Sequence, residues 1–394
     1  NGTVVVEWLN VAGGVDAGPD WSFTHRHLMR EGAAWVGVSA QRVGIEGGGF
    51  AAVSLPLKKV NVERYGSLVH PGDAFSYDVF SQAGRVVRSG ALLGGLTPPR
   101  LLAIGESQSA IFLVTYVNEV DPDAQVYDGF LIHGRGGVGA PLDGTFKIDR
   151  GSLAASAVAV REEGPPQSPM AGSQRIREDL RVPVLTIQSE TDVVGLGSAG
   201  SRQPDGERFR LWEIAGAAHA DTYLLVASAH DDGSLSAERL AELLAPTDEA
   251  YGMKMGQPMN AGPQQHYVLQ AGLAHLERWA AGGEPPPTAP HLELSTEGPF
   301  ALDENGIARG GLRSPWVEAP SAVLSGLGQT GAEFAFLFGT TRPLDAEARA
   351  RLYPGGREEF LARFERATDD ALTSGFLLEA DAEEIRALSR FTPW

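Results

Sequence analysis

The sequence contains no cysteine among its 394 residues. Disulfide bonds, zinc–thiolate sites, iron–sulfur clusters and a cysteine nucleophile are therefore excluded. A chain without cysteine is stable in either redox environment, so this absence does not indicate a compartment. The longest apolar run, residues 110–117, is far shorter than the roughly 20 residues that span a bilayer. We therefore expect no membrane-spanning segment.

Positive charge is also scarce, with 32 Lys and Arg against 50 Asp and Glu, a formal net charge of −18. Nucleic acids and anionic membranes both attract positive fields, so neither is a predicted partner. Apolar residues make up 43% of the chain and charged residues 21%, which is typical of a globular protein with a sizeable core. The chain begins at Asn1 rather than Met, so we expect a preceding segment and leave open whether the protein is cytoplasmic or secreted.

Apolar strand-like runs alternate with helical patterns through the first two thirds of the chain. Strands that alternate with helices predict an α/β fold with a mostly parallel, doubly wound sheet, because parallel strands need crossover connections. We expect helices at residues 23–31, 74–89 and 109–119. The predicted strands cover residues 3–8, 34–38, 101–105, 127–132, 183–188 and 209–214.

The remaining segments suggest how the chain is divided. Residues 134–180 are too long for a plain connection, so we expect a lid or cap inserted into a core of residues 1–285. A helix over residues 264–281 is followed by a stiff proline link. Residues 286–394 are interpreted as a C-terminal helical appendage packed on the core. It is predicted to contain a hairpin at 303–306 and helices near 345–352, 356–374 and 380–390.

The candidate nucleophile is Ser107, in the run Gly-Glu-Ser-Gln-Ser of residues 105–109. The run follows a predicted strand and precedes a predicted helix. A nucleophilic serine on such a sharp turn needs small residues two positions away on either side, and Gly105 and Ser109 meet this demand. The same turn places the Gln108 N–H at a helix start, where a substrate oxyanion would form.

A serine hydroxyl needs a histidine base, and the histidine needs a carboxylate to orient it. His219 follows the strand at 209–214 and is preceded by small residues that let its loop approach the serine. Asp192 follows the strand at 183–188, and Glu190 is the alternative acid because strand ends are uncertain by a few residues. These groups would meet at one edge of a parallel sheet. A second oxyanion donor is expected after the first strand, and Ala12 is the candidate.

The sequence resembles the alpha/beta-hydrolase fold serine hydrolases, and more narrowly the bacterial alpha/beta hydrolase domain-containing proteins. The resemblance rests on VVVEWLNVAGG, WVGVSAQ, RYGSLVHPGDAFSYDVFSQAG, AIGESQSA, VPVLTIQSETD, AGAAHAD and GGLRSPWVEAP, which are spread over almost the whole chain. It implies a nucleophile at Ser107, a base at His219 and an acid within residues 190–192. Ser109 stands where the wider family usually has glycine.

These observations favour a cofactor-free serine esterase that acts on a small or medium organic ester through an acyl-enzyme. An acyltransferase or lyase that uses the same serine is the first alternative, and an inactive binding scaffold is the second. No dinucleotide or P-loop glycine motif is present. His25 and His27 are two residues apart, which is the wrong spacing for one helix face, so no metal site is predicted. The oligomeric state is not predicted.

Overall fold

The computed structural model describes residues 1–48, 54–145, 174–332 and 334–394. Its main strands are β1 (Thr3–Trp8), β2 (Ala34–Val38), β3 (Arg100–Glu106), β4 (Gly129–His133), β5 (Val184–Ser189) and β6 (Phe209–Ile214). They form one sheet in the order β2-β1-β3-β4-β5-β6, and all neighbouring pairs are parallel. The predicted parallel α/β fold is confirmed.

Both faces of the sheet are buried, which explains why its strands have continuous apolar runs. Every residue of β1 is buried, and successive side chains point to opposite faces. Val5 packs in one apolar cluster, whereas Val4 and Val6 pack in a second cluster on the other face. The sheet is therefore the middle layer of three.

Helices provide the outer layers. They are α1 (Pro19–Glu31), α2 (Arg42–Glu46), α3 (Leu57–Val60), α4 (Val62–Tyr65), α5 (Ser76–Arg88), α6 (Gln108–Thr115), α7 (Asp121–Ala124), α8 (Ala237–Leu243), α9 (Gln264–Ala280), α10 (Pro315–Glu318), α11 (Ala346–Leu352), α12 (Gly356–Thr373) and α13 (Ala382–Phe391). Helices α1 and α9 cover the Val5 face, and α5 and α6 cover the other. The structure also has three wider, π-helical turns, one after α6, one after β5 and one after β6. They cover Tyr116–Val120, Thr191–Gly195 and Tyr223–Ala227.

The C-terminal region packs directly on the helical layer of the Val5 face. Phe360, Phe364 and Ile385 are buried in the same cluster as the residues of α1 and α9. Ion pairs add to this contact, including Arg26 with Glu384 at 2.6 Å and Arg30 with Asp381 at 2.8 Å. The region also contains two antiparallel strands, β9 (Ala322–Ser325) and β10 (Thr340–Pro343), while β7 (Glu249–Ala250) and β8 (Met253–Lys254) form a smaller pair before α9.

Most predicted elements are found with small shifts at their ends. The predicted helix at 109–119 is α6 continued by a π-helical turn, and that at 74–89 begins with a 3-10 turn at Asp73–Phe75. An antiparallel bridge between Leu302 and Ala308 encloses the predicted turn at 303–306. The β9–β10 pair was not predicted. Within the described ranges, no helix is long and apolar enough to cross a bilayer.

Residues 146–173 of the predicted lid lie outside the described residues. The lid therefore stays a prediction, as does the division of the chain after residue 285.

Candidate active site

The turn between β3 and α6 holds Ser107 in a strained backbone conformation. Its φ of 59° and ψ of −119° are rarely adopted by residues other than glycine. A side chain at Gly105 would place its Cβ 3.0 Å from Leu113 and 3.1 Å from the Cβ of Ser109. The turn therefore needs the small residues that the sequence provides, and it presents the serine at the carboxyl edge of the sheet.

His219 lies between a serine and a carboxylate. Its Nε2 is 2.8 Å from the Ser107 Oγ, and its Nδ1 is 2.6 Å from the Asp192 Oδ1. The other oxygen of Asp192 accepts hydrogen bonds from the N–H and the hydroxyl of Ser189 at 2.6 and 2.8 Å. Asp192 and His219 are both buried. These contacts join groups that follow β3, β5 and β6, so the sheet brings together three positions far apart in the sequence.

Comparison with known families gives one match over residues 1–387, to the family described as alpha/beta hydrolase domain. The chain belongs to this alpha/beta hydrolase family. Its membership supports hydrolase activity in general, and the fold and the position of the serine turn agree with it. A search of the curated proteins found no match.

Three solved structures are similar to parts of this hydrolase. A soluble variant of monoglyceride lipase from Saccharomyces cerevisiae with a substrate analog has 9% identity, covering 54% of this chain and 76% of that one, with a TM-score of 0.29. RedJ with PEG bound in its active site has 13% identity, 54% and 78% coverage and a TM-score of 0.27. The thioesterase domain from the curacin biosynthetic pathway has 13% identity, 62% and 91% coverage and a TM-score of 0.24.

Glu190, the alternative acid, does not contact His219 in the hydrolase. Its carboxylate accepts hydrogen bonds from the Gly216 N–H at 2.6 Å, the Gly326 N–H at 2.8 Å and the Ser325 hydroxyl at 3.0 Å. Burial raises the pKa of Glu190 to about 7, against the opposing effect of these donors. Of the two candidate carboxylates, the structure brings only Asp192 to the histidine.

The two predicted oxyanion donors differ in availability. The Gln108 N–H begins α6 and has no acceptor within the described residues, so it is free to bind a substrate oxygen. The Ala12 N–H is already donated to the Asn10 Oδ1 at 2.8 Å, which corrects the expectation for this residue. The N–H of Val11, one position earlier, has no acceptor among the residues that the structure describes. The Asn10 side chain thus holds the loop after β1 through this hydrogen bond, which the sequence pattern did not predict.

Glu106 is a further charged group at the site. Its Oε1 lies 3.0 Å from the same His219 Nε2 that faces the serine, and its Oε2 accepts a hydrogen bond from the Asn10 Nδ2 at 3.0 Å. Burial raises the pKa of Glu106 to about 7, although the charges of His219 and His133 oppose this change. The sequence pattern assigned no role to Glu106. A carboxylate at the last position of a buried strand was the available signal.

The charges around His219 favour its protonated form. Burial alone lowers the pKa of His219, but the negative charges of Glu106 and Asp192 outweigh burial and raise this pKa to about 9. His133 forms a second buried pair, with its Nδ1 2.8 Å from the Asp20 Oδ1. Burial lowers the pKa of His133, and the hydrogen bond and charge of Asp20 raise it above its usual value. The site is therefore rich in buried negative charge.

Proposed function

We propose that the protein is a serine hydrolase that cleaves the carboxylic ester of a small or medium organic molecule. The observation that carries the proposal is the position of His219, whose two ring nitrogens are within 2.8 Å of the Ser107 hydroxyl and the Asp192 carboxylate. This is the geometry that nucleophilic catalysis by serine requires. Membership of the hydrolase family supports the same conclusion.

The proposed reaction has two halves. Ser107 Oγ attacks the ester carbonyl while His219 Nε2 takes the hydroxyl proton, and Asp192 holds the Nδ1–H and stabilises the imidazolium. The N–H groups of Gln108 and Val11 bind the oxyanion. His219 then gives its proton to the leaving alcohol, and an acyl-enzyme remains. Water attacks the acyl group with His219 as base, which releases the acid and restores the serine.

Labelling with a fluorophosphonate tests the nucleophile. We expect one label per chain at Ser107, no label in Ser107→Ala, and normal labelling in Ser109→Ala, a matched control two residues away. Circular dichroism checks that both variants fold. Labelling of Ser107→Ala to the wild-type extent would overturn the assignment. No labelling of the wild type would favour the inactive scaffold, and ester products formed with an added alcohol would favour an acyltransferase.

A further inference from the structure

A buried arginine stands in the loop that follows β4. Arg135 is 3% exposed, and its backbone is fixed by Gln188, whose side chain accepts from the Arg135 N–H at 2.9 Å and donates to its carbonyl at 3.0 Å. The guanidinium donates through Nε to the Gly136 carbonyl at 2.9 Å and through Nη2 to the Gln174 carbonyl. Both acceptors are neutral, so neither balances the charge.

No carboxylate among the described residues pairs with Arg135, and its Nη1 has no acceptor there. Arg202, which is only partly buried, differs because it donates to both oxygens of Glu213 at 2.6 Å. Burial lowers the pKa of Arg135 to about 10, which leaves the guanidinium charged at neutral pH. An unpaired buried charge is costly, and proteins normally keep one only where it meets a partner.

The residues before and after Arg135 contact the candidate active site. The His133 carbonyl accepts the Ser107 N–H at 2.9 Å. A Cβ at Gly134 would lie 3.2 Å from the Cε1 of His219, and a Cβ at Gly136 would lie 3.4 Å from Ile111, on the helix that starts beside the serine. The backbone on either side of Arg135 therefore lies beside the base and beside the nucleophile helix.

We propose that Arg135 binds an anionic group of the substrate, and that the substrate is an ester carrying a free carboxylate. The inference rests on the proposed serine hydrolase function. A carboxylate matches the planar guanidinium and carries the single negative charge that balances it. A phosphate dianion would carry a second negative charge that the single guanidinium does not balance, so the monoanion is favoured.

A series of half-esters tests the substrate class. The substrates are monoethyl succinate, glutarate, adipate and suberate, each compared with the neutral ethyl ester in which an amide replaces the free acid. Ester cleavage is followed in a pH-stat. For the preferred chain length, we expect wild-type kcat/KM to be about ten- to a hundredfold higher for the acid than for its amide, as a charged hydrogen bond implies.

Variants of Arg135 test whether this residue causes the preference for the acid over the amide. Arg135→Gln is expected to lose the ten- to hundredfold preference, and Arg135→Lys to keep part of it because the charge remains. Arg177→Gln is the control for loss of an arginine charge, since Arg177 is three residues after Gln174 in the sequence but pairs with Asp179. Thermal unfolding checks the variants. If Arg135→Gln does not fold, the wild-type series alone decides.

Equal kcat/KM for acids and amides, or turnover of none of the half-esters, would overturn the inference while Ser107 labelling still supported the hydrolase. Loss of that labelling would instead overturn the proposed function itself. A preference for the acids that Arg135→Gln retains would also overturn the role of Arg135.

Discussion

Replacement of Glu106 by glutamine should move the pH dependence of the hydrolase toward acid. The Glu106 carboxylate lies 3.0 Å from His219 Nε2, and both side chains are buried. The base can accept the serine proton only when Nε2 is unprotonated. Because the pKa of His219 is raised to about 9, activity of the wild type should rise with pH through about 9.

The magnitude follows from the contact. An opposite charge within about 4–6 Å changes a pKa by about one to three pH units, and burial limits screening. Glu106→Gln removes this charge while its amide oxygen still accepts from Asn10. The rise in kcat/KM should therefore occur about one to three pH units lower than in the wild type. At high pH the variant should be slower, because it no longer stabilises the imidazolium of the transition state.

The assay is kcat/KM for a neutral ester as a function of pH, together with the pH dependence of fluorophosphonate labelling, which does not depend on product release. Glu297→Gln removes the same charge from an exposed position and is the control for the overall field. If Glu106→Gln and the wild type have the same acid limb in both assays, the carboxylate does not control the ionisation of His219 and the reasoning fails.

Other variants test the acid and the loops that hold it. Asp192→Asn should lower kcat about 10⁴-fold, because an amide favours the wrong histidine tautomer. Glu190→Gln should mainly cost about 1–3 kcal/mol of unfolding free energy, and similar losses of kcat in the two variants would argue against Asp192 as the acid. Gly326→Ala places a Cβ 2.4 Å from the Ala217 carbonyl and 2.7 Å from the Cβ of Glu190, so it should cost about 1–3 kcal/mol of unfolding free energy and lower kcat. Gly206→Ala, where a Cβ meets nothing within 4 Å, is its control in denaturant unfolding and ester assays; equal effects of the two changes would contradict this account.

The fold and the serine turn could be predicted because their signals are local. Buried parallel strands are continuous apolar runs, and the strained turn at Ser107 permits only small residues at fixed spacing. The choice between Asp192 and Glu190 could not be made from the sequence. They are two positions apart, and only the turn after β5 determines which carboxylate faces the histidine.

Contacts that depend on side-chain direction or loop conformation were also beyond the sequence pattern. The pairing of Glu106 with His219 depends on side-chain direction at a strand end, which periodicity does not specify. The contact between Ala12 and Asn10 depends on how a glycine-rich loop folds back on itself. The sequence also could not predict that Arg135 has no carboxylate partner among the described residues, because a sequence does not show which charges are paired.

Glu190 shows that the C-terminal region takes part in building the site. One oxygen accepts from Gly216, which begins the loop of His219, and the other accepts from Ser325 and Gly326. Thr191, beside the acid, donates its hydroxyl to the Gly326 carbonyl at 2.6 Å and accepts the His219 N–H at 3.2 Å. The loop of the base and the turn of the acid are thus held by the same C-terminal segment. Nucleophile and base must remain within hydrogen-bond distance for proton transfer. A substitution at residues 325–326 should therefore lower kcat by displacing the base or the acid, and not through a contact with the substrate.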